Sequence, residues 1–369
     1  MRRTTRKALT NLALFVGTLF TIIYLGTSGG DHREFAWTTI RYQTSAKTLP
    51  KSHGVCPGLE DTSKPALVVS RVAADGNAKW LESLSGKYHL CVYDVDDSHG
   101  QSTVLRVPAN RGHEAMAYLT FMIDNYSHIP EAGAVFVHGS RWAWHNDAPD
   151  YDNAYLLELL NVSAALESQG YHNLRCDWSA STCEKHSAPP QGSLQIQANS
   201  RLEPWNARLV SDAALPAALS TIFGGSVDAA TDNQKKLQLG RADAVRSQCC
   251  AQFVVSRARV WQHAHDEYIA LRQWLLDEGS APGDDRVAGR IISYLWHILF
   301  LKPPHSDDES TGVDLEVLNS QACPRADECY CRLYGRCNLD GCSAPGYCFG
   351  QYAIPPDFKL PEDWGKTHS

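Results

Sequence analysis

The sequence has no basic excess. Lysine and arginine number 34 against 41 aspartates and glutamates, a formal net charge of -7. The electrostatic footprint of a general nucleic-acid binder is therefore missing, and nucleic acid is excluded as a partner. No internal repeat is present, which excludes solenoid and propeller arrays. No CxxC pair occurs among the twelve cysteines, and no histidine lies among the six that crowd between Cys323 and Cys348. A structural zinc site is built from such close ligand pairs, so zinc is disfavoured there.

One stretch lacks charge altogether. Arg2, Arg3, Arg6 and Lys7 precede an uncharged run from Ala8 to Ser28, most apolar between Leu12 and Leu25. A spanning helix needs about 20 mostly apolar residues, and Thr10, Asn11, Thr18 and Thr21 bring this one near the lower limit. The reading is an uncleaved signal anchor with its basic end cytoplasmic by the positive-inside rule, which makes the membrane a partner. A cleaved signal peptide ending at Gly26-Thr-Ser-Gly-Gly, and hence a secreted chain, is the alternative. The expected location is a single-pass type II membrane protein of the Golgi or secretory pathway with a lumenal C-terminus.

Cysteine usage agrees with that address. Cys323, Cys329, Cys331, Cys337, Cys342 and Cys348 read as a disulfide framework of up to three bridges. Cys176 and Cys183 are expected to close a further small loop. Cys249 and Cys250 are adjacent, and are expected to find distant partners or pack in the core rather than bond each other. Asn125 and Asn161 begin glycosylation sequons, Asn125 being the poorer because it ends an amphipathic helix.

The expected organisation is the anchor over residues 1–28, a polar lumenal stem over 29–65, an α/β catalytic-like domain over 66–304, and a linker with the cysteine-rich tail over 305–369. Strands are expected at 66–72, 88–95 and 103–107. A helix capped by Asn110 should run to about Tyr126, and another strand covers Ala134–Val137. Further helices are expected at 152–169, 257–278 and 285–300, with an irregular excursion carrying one or two short helices over 186–247. The alternation of strands and helices argues for a layered α/β fold with a largely parallel sheet.

The densest chemistry follows the strand Ala134–Val137. His138, Arg141, His145, Asn146 and Asp147 are interleaved with Trp142 and Trp144, at the end of a strand where α/β sheets place ligands. Imidazoles act as acid, base or metal ligand, so His138 and His145 are catalytic candidates. Arg141, Trp142, Trp144 and Asn146 are candidates for substrate, because aromatic faces stack on rings and arginine forks onto phosphate. The competing reading is a strand-to-loop junction in which Trp144 fills the core. Asp94, Asp96 and Asp97 close a second strand and suit a hard divalent ion. The helix start Asn110-Arg-Gly-His-Glu offers Arg111 and free N–H groups to an anion, with Glu114 as a catalytic or acceptor contact.

The segments LVVSRV, VYDVDD, VPANRGHEAMAYLTFMIDNY, AVFVHGSRWAWHND, GYHNLRC, CCAQFVVSR and YLWHILF resemble, in that order, a large and mainly fungal family known as a domain of unknown function. That family is distantly similar to glycosyltransferases of the GT-A type. The resemblance implies a GT-A-like (Rossmann-like) mixed sheet with flanking helices, plus the small disulfide-rich tail. It also implies transfer of a sugar from a nucleotide-sugar donor to a glycan or small-molecule acceptor, with manganese or magnesium as the possible cofactor. The chain departs from it twice. His138 stands where such enzymes carry a DxD, and Ser293 stands where a glutamate is expected before Tyr-Leu-Trp-His. A metal-dependent hydrolase or phosphotransferase, and a non-catalytic lumenal carbohydrate-binding protein, are the alternative readings.

Overall fold

In Ala66–Val69 and Ala134–Val137 every residue is buried, the mark of strands covered on both faces. The structure is a computed structural model and describes residues 3–27, 33–51, 53–96, 105–185, 188–224, 236–301 and 312–351. The strands are β1 (Glu34–Phe35), β2 (Ala66–Arg71), β3 (His89–Asp94), β4 (Leu105–Arg106), β5 (Ala134–His138), β6 (Tyr171–Asn173), β7 (Phe253–Val255) and β8 (Val313–Asp314). The helices are α1 (Arg3–Thr27), α2 (Glu114–Asp124), α3 (Asn153–Leu159), α4 (Val162–Glu167), α5 (Leu194–Leu202), α6 (Ala207–Gly224), α7 (Arg257–Val260), α8 (His265–Leu276), α9 (Asp285–Ser293), α10 (Leu295–Phe300), α11 (Leu315–Ala322) and α12 (Ala326–Tyr334).

Six strands form one mixed sheet in the order β4-β3-β2-β5-β7-β6. The first four are parallel, and β7 runs antiparallel to both β5 and β6. The fold is thus the expected mixed α/β sheet with flanking helices. Val68, Cys91, Tyr93 and Phe136 face a layer that includes α2, α6 and α8–α10. The alternate residues Leu67, Val69, Val135 and Val137 face the 3-10 helix Lys79–Gly86 with α3, α4 and α12. This period of two sorts the side chains of each strand between the two layers.

Several helices are shorter than their periodicity predicts. Gly112 and His113 take positive φ, so α2 starts at Glu114 and not after Asn110. Asp152 and Asn161 each cap their own helix through a side-chain oxygen, dividing 152–169 into α3 and α4. The stretch 257–278 breaks between α7, capped by Ser256, and α8, and 285–300 breaks at Tyr294 between α9 and α10. The described part of 186–247 holds α5 and α6, as one or two helices were expected there, but α6 is longer than expected at 18 residues.

The expected stem is largely part of the folded body. Phe35, Trp37 and Ile40 are buried in the core, β1 pairs with β8, and Cys56 is bonded to Cys91 of β3. These apolar residues are too widely spaced to produce a periodic signal, which is why the segment reads as polar. Ahead of it, α1 contains a segment, Thr5–Ile23, long and apolar enough to cross a membrane. It is compatible with a signal anchor or a signal sequence.

All twelve cysteines are paired. Cys331–Cys337 and Cys342–Cys348 are bridges within the tail. Cys176 and Cys183 do not join each other; they bond Cys329 and Cys323 and tie the tail to the body. Ala326, Tyr330 and Leu333 of α12 are buried among β2, β5 and α3 side chains, so this helix completes the second core layer. Cys249 and Cys250 bond each other, against expectation. Adjacent cysteines can meet where the backbone turns, and here Cys250 and Ala251 have φ of 91° and 48°.

Candidate functional site

Strand order reverses at β2. The chain steps from β2 outward to β3 and β4, then returns to the other side of β2 as β5. In open α/β sheets the crevice outside the carboxyl ends of the strands at such a switch point is where ligands bind. The register pairs Arg71 with Asp94 and Ser70 with His138 at this edge. Gly139 lets the two loops approach closely: a Cβ there would lie 2.3 Å from the Cβ of Arg71 and 2.8 Å from Asp75.

Beyond this edge lies a cleft of about 570 Å³ between the loop after β2 and the loop after β5. It is lined by Asp75, Asn77, Lys79, Trp80, Arg141 and Trp142, among others. The Arg141 guanidinium sits 4.3 Å from the centre of the Trp142 ring. It also forks onto Asp152 through Nε and Nη2, each at 3.0 Å. This anchors Arg141 to the start of α3, because Asp152 also caps that helix. The buried indole N–H of Trp80 has no hydrogen-bond partner.

His138 closes β5 two residues before the cleft. Its Nε2 lies 2.7 Å from the carbonyl oxygen of Cys250. A carbonyl only accepts, so Nε2 carries the proton and neutral His138 presents a lone pair at Nδ1. Glu114 lies 4.0 Å from that Nδ1. It arrives there because α2 is the crossover helix into β5 and starts at the carboxyl edge of the sheet. One turn along α2, the buried hydroxyl of Tyr118 is unpartnered, and burial together with Glu114 raises its pKa.

His145 packs against His138 with ring centres 4.2 Å apart. Burial, then the neighbouring His138 and Arg175, push its pKa down to about 2. It is therefore neutral across the physiological range and packs against His138.

The other candidates divide. Asn146 is fully buried; its amide donates to the carbonyls of Arg141 and Tyr151 and its oxygen accepts from Gln252. Asp147 accepts from the N–H groups of Cys176 and Asp177 and from the Tyr330 hydroxyl, and burial raises its pKa. Both are buried and hold the loop. Trp144 is 62% exposed and so does not fill the core. Arg111 does not hold an anion at the start of α2: it is bound to Asp285 and to the carbonyls of Pro282 and Gly283. Asp285 also accepts from the Gly112 N–H.

Of the three aspartates, Asp94 pairs with Arg71 at 3.2 Å, and both oxygens of Asp96 accept from the Ala73 N–H. Asp97 lies outside the described residues. Among the described residues these carboxylates do not form a cluster of three metal-ligating groups. The one such group, Cys56, His89 and Cys91, contains two disulfide-bonded cysteines and has no thiolate to offer.

Asn125 is buried, accepting from the Cys56 N–H and donating to the Gly54 carbonyl; the folded chain cannot present it for glycosylation. Asn161 is exposed at the start of α4. Ser293 donates to the Arg290 carbonyl of its own helix. Lys79 and Trp80 escaped sequence reasoning. Their only signal was position in the helical turn soon after β2, which becomes informative once that strand is known to lie at the switch point.

Residues 67–332 match the family described as protein of unknown function, DUF3431. The match covers most of the chain, and the chain belongs to that family. No curated protein and no solved structure matches it.

Proposed function

We propose that this member of the DUF3431 family is a glycosyltransferase-like protein, transferring a sugar from a nucleotide-sugar donor to a glycan or small-molecule hydroxyl. The observation that carries the reading is the switch-point cleft, basic and aromatic, lying next to a histidine whose Nε2 meets a carbonyl and whose Nδ1 lies 4.0 Å from a carboxylate. In this reading the donor diphosphate lies between Lys79 and Arg141, with a ring on Trp142. The acceptor oxygen bonds to the anomeric carbon as the bond from that carbon to the diphosphate oxygen breaks. The acceptor proton passes to Nδ1 of His138, and Glu114 stabilises the imidazolium. Lys79 and Arg141 offset the charge left on the departing diphosphate, the kind of term that contributes most in such chemistry.

Manganese or magnesium is the cofactor the resemblance implies. The described carboxylates do not fit a hard-ion cage, since Asp94 is neutralised by Arg71, and no step above passes through a metal. A non-catalytic carbohydrate-binding protein is the second reading, favoured by the exposed Trp144 beside the site.

The chain is further read as anchored by α1 with its body in the secretory lumen and a glycan on Asn161. Protease protection in sealed microsomes tests the topology. Calorimetry against a panel of nucleotide sugars, with and without manganese and followed by product analysis, tests the function. Donor binding with turnover supports the reading; glycan binding without donor binding selects the second one.

A further inference from the structure

The segment before β7 is a strap across the back of the site. The Cys250 carbonyl accepts from His138 Nε2 at 2.7 Å. The Gln252 side chain accepts from the His138 N–H at 3.3 Å and from the Asn153 amide at 3.2 Å, and donates to Asn146 at 3.0 Å. The strap thus contacts His138 through both ring and backbone. Its conformation is unusual, because Cys250 and Ala251 both have positive φ, a region that residues with a Cβ seldom occupy. The Cys249–Cys250 bond closes a small ring through the peptide between them, restricting the turn that aims the Cys250 carbonyl.

We propose that the Cys249–Cys250 disulfide is a positioning element for His138, holding the Cys250 carbonyl on Nε2 and so keeping Nδ1 as the unprotonated nitrogen that faces Glu114. This deepens the assignment of His138 as proton acceptor and rests on it. When a dithiol reduces the bond, two electrons and two protons pass to the cysteine sulfurs and the dithiol closes to its own disulfide. The turn is then free to relax to negative φ, which takes the carbonyl off Nε2 and lets the imidazole sample both tautomers.

The test uses the full chain labelled with 15N-histidine, comparing wild type with Cys249→Ser/Cys250→Ser. The His138 resonance is assigned through His138→Gln. Ring 15N shifts report the tautomer, and thermal melting reports folding. The variant should melt cooperatively, show a mixed His138 tautomer, and lose up to about tenfold in transfer, the effect of one hydrogen bond. Cys331→Ser/Cys337→Ser, which removes a tail bridge, should leave the His138 shifts unchanged. Should the first variant not fold, partial reduction of wild type by a dithiol, with the broken bridge located by alkylation and peptide mass, asks the same question of folded protein. A folded variant or reduced protein with an unchanged Nε2–H tautomer overturns the proposal. Because the tautomer is read without donor, a tautomer change in a chain that transfers no sugar upholds the positioning role and refutes the transferase reading.

Discussion

Lowering the pH from 7 to 5 should destabilise this protein steeply, through three histidines that the fold keeps neutral. Burial pushes His297 down to about 3 and His172 to about 4, and burial, followed by the neighbouring His138 and Arg175, pushes His145 to about 2. Unfolded, each titrates near 6.5. Below that value the unfolded chain binds protons that the folded one refuses, so stability falls as pH falls. Each histidine contributes a slope of about 1.4 kcal/mol per pH unit, beginning near 6.5 and ending at its folded value. Between pH 6.5 and 5 the three together cost up to about 6 kcal/mol, comparable to the whole stability of an ordinary domain. Asp147 and Asp212, whose pKa values are raised chiefly by burial, oppose this by taking up protons first in the folded state. A variant isolates the histidine contribution. Both ring nitrogens of His297 are buried without a partner, so His297→Gln removes a group that can only titrate on unfolding. Denaturant unfolding at pH 7, 6 and 5 should give a slope shallower by about 1.4 kcal/mol per unit in the variant. Parallel slopes for the two proteins would refute the reasoning, because His297 would then be protonated within the fold.

Peptide mapping without reductant should recover Cys176 linked to Cys329 and Cys183 linked to Cys323; a Cys176–Cys183 peptide contradicts the structure. Expressed in a glycosylating host, the chain should lose its glycan mass on Asn161→Gln and lose nothing on Asn125→Gln, and a glycan found on Asn125 contradicts its burial. Gly139→Ala should lower stability by about 1–3 kcal/mol in denaturant unfolding, the usual cost of overpacking, because its Cβ collides with Arg71. An unchanged midpoint would mean that the two loops do not meet there.

Much of the fold was legible from the chain because its signals are local. Ala134–Val137 is apolar and β-branched, and α2 carries its apolar residues at helical spacing, so both stood out with the chemistry beside them. Phe35 and Trp37 were missed because a two-residue strand has no period, and their burial depends on β8, far along the chain. The disulfide partners of Cys176 and Cys183 were hidden for the same reason, since they lie 153 and 140 residues away. Within the site, His138 and His145 both read as acid, base or metal-ligand candidates. Burial separates them, leaving one beside a carboxylate and the other neutral in the packing. Arg111 and Asn146 are residue types that bind ligands, and only the tertiary structure reveals that Asp285 and Gln252 already occupy them.

The most direct test of the account is a crystal structure of the full chain soaked with a nucleoside diphosphate. The account predicts the diphosphate between Lys79 and Arg141, beside Trp142, in the cleft outside β2 and β5. Density for the nucleotide in the larger cavity of about 1060 Å³ beside Arg33, Arg246 and Asn319, with the switch-point cleft empty, would contradict it.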